Sequence, residues 1–323
     1  MLLPYDKPYK SIPDQIALLQ SRGMLIDDVA KASFYLRRLG YYRLSGYWYT
    51  FRKRVHRPGS GPTDPPLVLD EFQPGTEFKH VMDLYVFDKK LRMLLLDSIE
   101  RIEVGVRVEV ALLIGARNRW AHREAAELHG DFTRVKMGYT CSRHEEWLKR
   151  VDHQVARSKE EFVAHFRETY TGPLPIWISI EVWDFGILST FVSGMKWNDK
   201  LDLSSKFGFP RPDFLTSWLR ALNHVRNICA HHSRLWNRPL TDYPKPPRAG
   251  ELAWHDHWAV DRHAQTRVYG IAAVLQHFMR FVSPSSTWAH RLKQHMSTFL
   301  PTPAVSIRNA GFPPGWELLA LWC

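Results

Sequence analysis

The sequence predicts an all-α fold on three observations. Apolar residues recur every three or four positions along most of the chain, capping patterns precede several of those runs, and no sustained two-residue alternation marks a strand. Ser11 and Asp14 have capping-box spacing, Ile12, Ile16 and Leu19 share one face, and Gly23 stops the first helix. A second helix runs from Asp27 to Gly40, turning Ala32, Tyr35, Leu36 and Leu39 inward. The run that follows mixes rings (Tyr41, Tyr42, Tyr47, Trp48, Tyr49, Phe51) with Arg43, Arg52, Lys53, Arg54 and Arg57, and its period fits helix or strand.

Proline and glycine crowd residues 58–76, which predicts an exposed loop and the clearest internal boundary. Helical spacing then continues from Glu77 to Arg117 without a proline, predicting one long helix with a kink expected near Gly105. Ser142 and Glu145 open a highly charged helix extending to about Tyr170. Residues 176–195 are apolar on most sides and therefore buried. A short helix spans 198–207, and Pro212 sits at the first turn of the next, which the pattern carries to about Trp236. A loop at 239–250 and helices at 262–282 and 286–300 complete the reading. The expected organisation is an N-terminal helical region (1–57), the loop (58–76), a helical domain (77–300) and a proline-containing tail (301–323).

With 323 residues, 45% of them hydrophobic and 13% aromatic, the chain can fill a real core. Charged residues interrupt every apolar stretch before it reaches the length of a membrane span, and Pro4, Asp6 and Pro8 stand where a secretory leader needs apolar residues. A cytoplasmic protein without a membrane partner is expected. Cys141, Cys229 and Cys323 make no CxxC pair, which suggests neither a disulfide framework nor a cysteine-rich zinc site, so no cofactor is expected. A formal charge of +11 attracts polyanions, whether RNA, DNA or an acidic membrane surface, and by itself selects none of them.

Chemistry concentrates in the helix starting at Pro212. Its apolar stripe contains Phe214, Trp218, Leu222, Val225, Cys229 and Trp236, and a polar stripe of the same period contains Asn223, Asn227, His231, Arg234 and Arg238. Arg226 lies about 7.5 Å along the axis from His231 at helical rise, a gap that its side chain can bridge. Metal-independent RNA cleavage needs a base for the 2′-hydroxyl proton, an acid for the leaving 5′-oxygen and a cation for charge on phosphorus. Histidine titrates near neutrality and a guanidinium can grip two phosphate oxygens. The R-x4-H spacing alone is weak, because with 16 histidines roughly one or two chance matches are expected. Arg117 and His122 supply a second one.

The setting of the first match adds to this. Arg226-Asn227 followed by His231 resembles the R-x4-6-H motif of the HEPN superfamily, with a polar residue directly after the arginine. The wider run from Arg226 to Arg238 is similar to abortive-infection proteins of the AbiD/AbiF type. So are Lys7 to Ser11, Ser21 to Ile26, Leu39 to Tyr47 and Ser98 to Arg107. The resemblance covers roughly residues 7–285. It implies an all-α, HEPN-like helical bundle with an N-terminal helical extension, a role in bacterial defence against phage, and an RNA-cutting site assembled from two motifs. With one convincing motif in this chain, a homodimer is implied. Arg226, Asn227 and His231 take the motif positions and His232 stands beside them as a further catalytic candidate. An RNA substrate is expected, and a small noncoding RNA or a protein is a candidate inhibitor.

Each candidate has a plainer reading. Arg226 and His231 could stabilise a helix end, and His232, one heptad step after Cys229 by the helical pattern, could be a partly buried core histidine. Glu100, Glu103 and Arg107 share a face of the long helix, where an ion-pair network orienting helices or Arg226 is favoured over acid/base work. His255-Asp256-His257 lacks further ligands at metal spacing and reads as solvated loop. The basic residues Arg52, Lys53, Arg54 and Arg57, with Arg234 and Arg238, are RNA-binding candidates, whereas the rings between Tyr41 and Phe51 fit a core. The competing function is a non-catalytic RNA-binding or toxin-neutralising protein of the same fold.

Overall fold

The structure, a computed structural model, describes residues 4, 6, 8–57, 59, 61 and 64–323. It is mostly helical, as the spacing predicts, with fifteen α-helices and one two-stranded sheet among the described residues. The chain divides into two compact units, one formed by Met1–Leu91 with Gln294–Asn309 and the other by Arg92–Lys293 with Ala310–Cys323.

In the first unit α1 (Ile12–Ser21) begins at the Ser11/Asp14 capping box. Helix α2 (Val29–Leu39) is capped by Asp28 and ends at Gly40, whose φ of 83° suits glycine. The ambiguous aromatic run resolves into both alternatives. Residues Tyr41–Trp48 form α3, and after one 3-10 turn Arg52–Val55 form β1. Strand β2 (Leu67–Phe72) pairs antiparallel with β1 and lies inside the stretch expected to be loop. The proline density hid a short strand. Tyr47, Trp48 and Phe51 are core residues, and the Tyr47 hydroxyl donates to the buried Asp88 carboxylate at 2.7 Å. Helix α4 (Phe78–Gly115) is continuous across 38 residues and crosses from the first unit into the second. Gly105 serves close packing, because a Cβ there would lie 2.8 Å from Val282 Cγ1.

The second unit continues with α5 (Gly130–Thr133), α6 (Arg143–Arg157) and α7 (Glu161–Thr169). The single charged helix expected from Ser142 to Tyr170 is therefore two helices broken at Ser158–Glu160, where the Ser158 hydroxyl accepts from the Glu160 N–H. Next come α8 (Ile176–Ser179), α9 (Phe185–Gly194), α10 (Trp197–Lys206) and α11 (Pro212–Ala230). Helices α12 (Asp256–Ala259), α13 (Arg262–Gln265), α14 (Val268–Val282) and α15 (Trp288–Ser297) follow. Helix α11 packs against α9, α10 and α14, and α6 packs against α9.

Large rings fill this core, and several of their indoles donate to backbone carbonyls. The Trp147 indole donates to Ile187 O, that of Trp218 to Lys245 O and that of Trp288 to Leu94 O. The end of the expected tail is integral too. Phe312, Trp316 and Trp322 are buried around Tyr269, and Arg280 donates to the carbonyls of Ala320 and Leu321.

His255, expected in a solvated loop, is fully buried. Trp258 Nε1 donates to His255 Nδ1 at 2.8 Å, which leaves the proton on His255 Nε2 to reach His277 Nδ1 at 3.1 Å, and His277 Nε2 donates to Phe207 O at 2.8 Å. Each imidazole is neutral in this chain of donors. Burial lowers the pKa of His255 well below the ordinary value, that of His277 to about 4 and that of His122 to about 3. The native state thus refuses protons that the unfolded chain accepts below about pH 6.5. Stability contributed by neutral imidazoles is full above that pH and declines as pH falls, by about 1.4 kcal/mol per pH unit for each histidine. Thermal melts between pH 7.5 and roughly pH 4.5 should show Tm falling steeply below about pH 6.5, with His277→Phe reducing the slope. A Tm independent of pH across that range would contradict the buried neutral cluster.

Candidate functional site

Helix α11 carries the site because one side of it is fixed in the core. Phe214, Leu215, Trp218, Leu222 and Val225 are fully buried, and Ile228 and Cys229 nearly so, which sets the rotation of the helix and leaves Asn223, Arg226 and Asn227 half-buried on another side. The guanidinium of Arg226 donates to Asn227 Oδ1 at 3.3 Å.

The helix ends at Ala230, earlier than the expected Trp236, and the reason lies in the backbone. His231 is the C-cap, with its N–H bonded to Asn227 O at 3.0 Å. His232 follows at φ 56°, in the left-handed region. The His232 N–H reaches Cys229 O and the Ser233 N–H reaches Ile228 O, both at 3.0 Å, the paired bonds of a Schellman turn. Glycine is the usual residue at that left-handed position; this chain uses histidine there. Leu235 and Trp236 then return to the core fully buried. A corner pinned at both ends projects His231 and His232 outward, and both are exposed. The expectation of a partly buried His232 is corrected, because the left-handed turn takes it off the helical register that pointed it inward. The polar stripe is likewise interrupted: Asn223 and Asn227 are on α11, whereas Arg234 and Arg238 lie beyond it, each half-buried.

Arg226 faces charges from other helices. On α4, Arg107 Nη2 bonds Glu103 Oε1 at 2.5 Å and also Trp183 O at 2.6 Å, with the two side chains 16% and 12% exposed. Burial raises the Glu103 pKa above the ordinary carboxylate value, while the positive charges of Arg107 and Arg226 pull the other way. Arg107 of α4 thus bonds the carboxylate, while Arg226 of α11 acts on it only through its charge. Glu103 and Arg107 form an ion pair on the expected face of α4, and Glu100, on the same face, adds a repulsive charge. Asp184, which caps α9 by accepting from the Ile187 N–H at 2.8 Å, brings further negative charge near Glu103. Gln154 Nε2 and Arg150 Nη2 of α6 approach Asp184 at 3.3 and 3.9 Å. One corner of the second unit therefore assembles cations, amides and carboxylates from α4, α6, α9 and α11.

Other candidates lie apart from this corner or are otherwise engaged. The Arg117/His122 match forms no second half-site: Arg117 grips Asp199 through two bonds of 2.6 and 2.9 Å, and His122 is fully buried beside Trp183. Arg52, Lys53, Arg54 and Arg57 belong to the first unit. Arg52 pairs with Asp70 at 2.8 Å across the hairpin, while Lys53, Arg54 and Arg57 are exposed. His257 meets the Tyr269 hydroxyl at 2.6 Å, and no group of three or more potential metal ligands occurs among the described residues. A cleft of about 230 Å³ in the first unit, between Phe51, His80, Lys90 and His295, is lined by none of the candidate residues. Sequence reading missed the contribution of α6 and the α9 cap. Asp184, alone before an apolar run, was a legible capping signal; its meeting with α6 was not.

A family model described as Abi-like protein matches residues 34–237, a span that includes Glu103, Arg107, Arg226, Asn227, His231 and His232. No curated protein and no solved structure matches. No helix among the described residues is long and apolar enough to cross a membrane.

The Arg107 contacts yield a stability prediction. Arg107→Met leaves the Glu103 carboxylate and the Trp183 carbonyl without their donor, and should cost about 2–4 kcal/mol in urea unfolding. A cost below about 0.5 kcal/mol would mean that the pair does not hold the corner together.

Proposed function

Since the chain belongs to the Abi-like protein family, a family whose name points to abortive infection, we propose that it is a HEPN-type endoribonuclease acting in defence against phage. The observation that carries this reading is the α11 corner. Two imidazoles stand exposed at a pinned turn, one of them at a left-handed position usually given to glycine, a few residues from an arginine paired with an asparagine. Backbone strain is retained where the surrounding structure enforces it, and such sites cluster at functional positions.

The reaction is transesterification and needs no metal. The 2′-oxygen attacks the adjacent phosphorus and loses its proton to a base; the P–O5′ bond breaks and the leaving oxygen takes a proton from an acid. The products are a 2′,3′-cyclic phosphate and a 5′-hydroxyl. His231 performs one proton transfer, Arg226 steadies the extra charge on the phosphoryl oxygens, and Asn227 orients the guanidinium or the phosphate. His232 assists from the adjacent position. Arg234 and Arg238, beyond the turn, hold flanking phosphates, and Lys53, Arg54, Arg57 and Arg52 are secondary RNA contacts on the hairpin.

A single corner supplies one set of groups, and two proton transfers are required. A homodimer brings a second set. An exposed apolar stripe supports this: Val104, Val108 and Leu112 lie at four-residue steps on α4, on the helix that carries Glu103 and Arg107.

Two outcomes are expected. In EDTA the purified protein cleaves single-stranded RNA to cyclic-phosphate ends, while His231→Ala and Arg226→Ala each lose about 10²–10⁴-fold in rate. Equal cleavage by all three would reject the assignment, and binding without cleavage by any would favour a non-catalytic RNA-binding role. The variant Val108→Asp/Leu112→Asp should be monomeric by light scattering and inactive while retaining its helical circular dichroism. A fully active monomer would exclude the composite site.

A further inference from the structure

Helix α6 presents a basic face that the reading above does not use. Lys149, Arg150, His153 and Arg157 are exposed, the first two adjacent and the others about one and two turns further on. The first three, with Gln154 of α6 and Ile187 of α9, line an open cleft of about 240 Å³. No carboxylate lines it. Asp152, the acid next to His153 in sequence, is bound by both Nη atoms of Arg123 at 2.7 and 3.1 Å, so its charge is already answered.

This cleft leads to the α11 corner. Ile187 follows the Asp184 cap by three residues, and Arg150 and Gln154 both reach that cap from the cleft side. Gly186 lies between. A Cβ built on it would stand 3.1 Å from Asp184 Oδ1, 3.5 Å from Asn223 Nδ2 and 3.6 Å from Arg150 Nη2, so the capping carboxylate, a residue one turn before Arg226 and a cleft residue flank the same spot on α9. Two cations, an imidazole and two amides therefore lie between the cleft and the turn before Arg226, with an apolar side chain beside them, and the one carboxylate among them, Asp184, is engaged by the α9 cap, Gln154 and Arg150. Cations with intervening amide donors suit a phosphodiester backbone, and the apolar residue suits the sugar between phosphates. The strand must be single, because a helical duplex holds the 2′-oxygen out of line with the P–O5′ bond.

We propose that the cleft between α6 and α9 is the entry track for the phosphate backbone of single-stranded RNA, feeding it to the Arg226 corner. The inference rests on the ribonuclease reading, and the experiment separates the two. In a His231→Ala background, binding of a single-stranded RNA of roughly a dozen nucleotides is followed by fluorescence anisotropy over a salt series. Lys149→Gln/Arg150→Gln raises Kd roughly tenfold at moderate salt and lowers the slope of log K against log salt by about 0.7 per lost phosphate contact. Lys149→Arg retains both values. In the cleaving protein the double variant raises KM more than it lowers kcat.

Unchanged Kd and salt slope in the double variant, with circular dichroism and Tm intact, would overturn the track even if the protein cleaves RNA. If RNA binds without being cleaved and the double variant loses that binding, the track stands and the ribonuclease reading fails. Absence of any RNA binding by the parent protein overturns the track as well.

Discussion

The end of α11 is the constraint on which the site depends. A helix continuing to Trp236 would carry His231 along its own surface and turn His232 toward the core. Instead the Schellman bonds of His232 and Ser233 close the helix at Ala230, and burial of Leu235 and Trp236 draws the chain back into the core. Between these two anchors both imidazoles are exposed. An L-residue held in the left-handed region costs about 1–2 kcal/mol, an expense that glycine would avoid. The cost is borne at the position next to the R-x4-H histidine.

The second determinant is electrostatic. Glu103 is buried enough that its charge is disfavoured, and Arg107 and Arg226 oppose that tendency from two helices. Arg107 simultaneously bonds Trp183 O, directly before the Asp184 cap of α9. The same guanidinium thus ties α4 to the start of α9 and fixes the carboxylate on which the charge of Arg226 also acts. Such a half-buried network contributes little net stability and much geometric definition, because each member has one arrangement that satisfies the others. In the proposed reaction this spares Arg226 from reorganising when charge develops on phosphorus.

Much of the helical order was legible because its signals are local. Ser11 with Asp14 and Ser142 with Glu145 form the expected capping boxes, and Pro212 opens α11 at its first turn. Other features depend on partners distant in sequence. Strand β2 exists because it pairs with β1, against the local bias of the prolines around it. His255 is buried because Trp258 and His277 meet its acceptor and donor, and Phe207 O in turn satisfies His277. The stop at Ala230 escaped notice because the left-handed residue is histidine, and the usual marker is glycine. The α6 cleft was hidden for a related reason: in sequence its charges mark only a highly charged helix, and packing against α9 gives one face of it a neighbour.

The central claim is that a scissile phosphate sits at the α11 corner. A crystal structure with a short RNA carrying a 2′-O-methyl group at the cleaved linkage tests it directly, since that group prevents attack and leaves the phosphate in place. The account predicts that phosphate within hydrogen-bond distance of Arg226 and His231. Electron density for the RNA confined to another surface, with the corner occupied only by solvent, would contradict it.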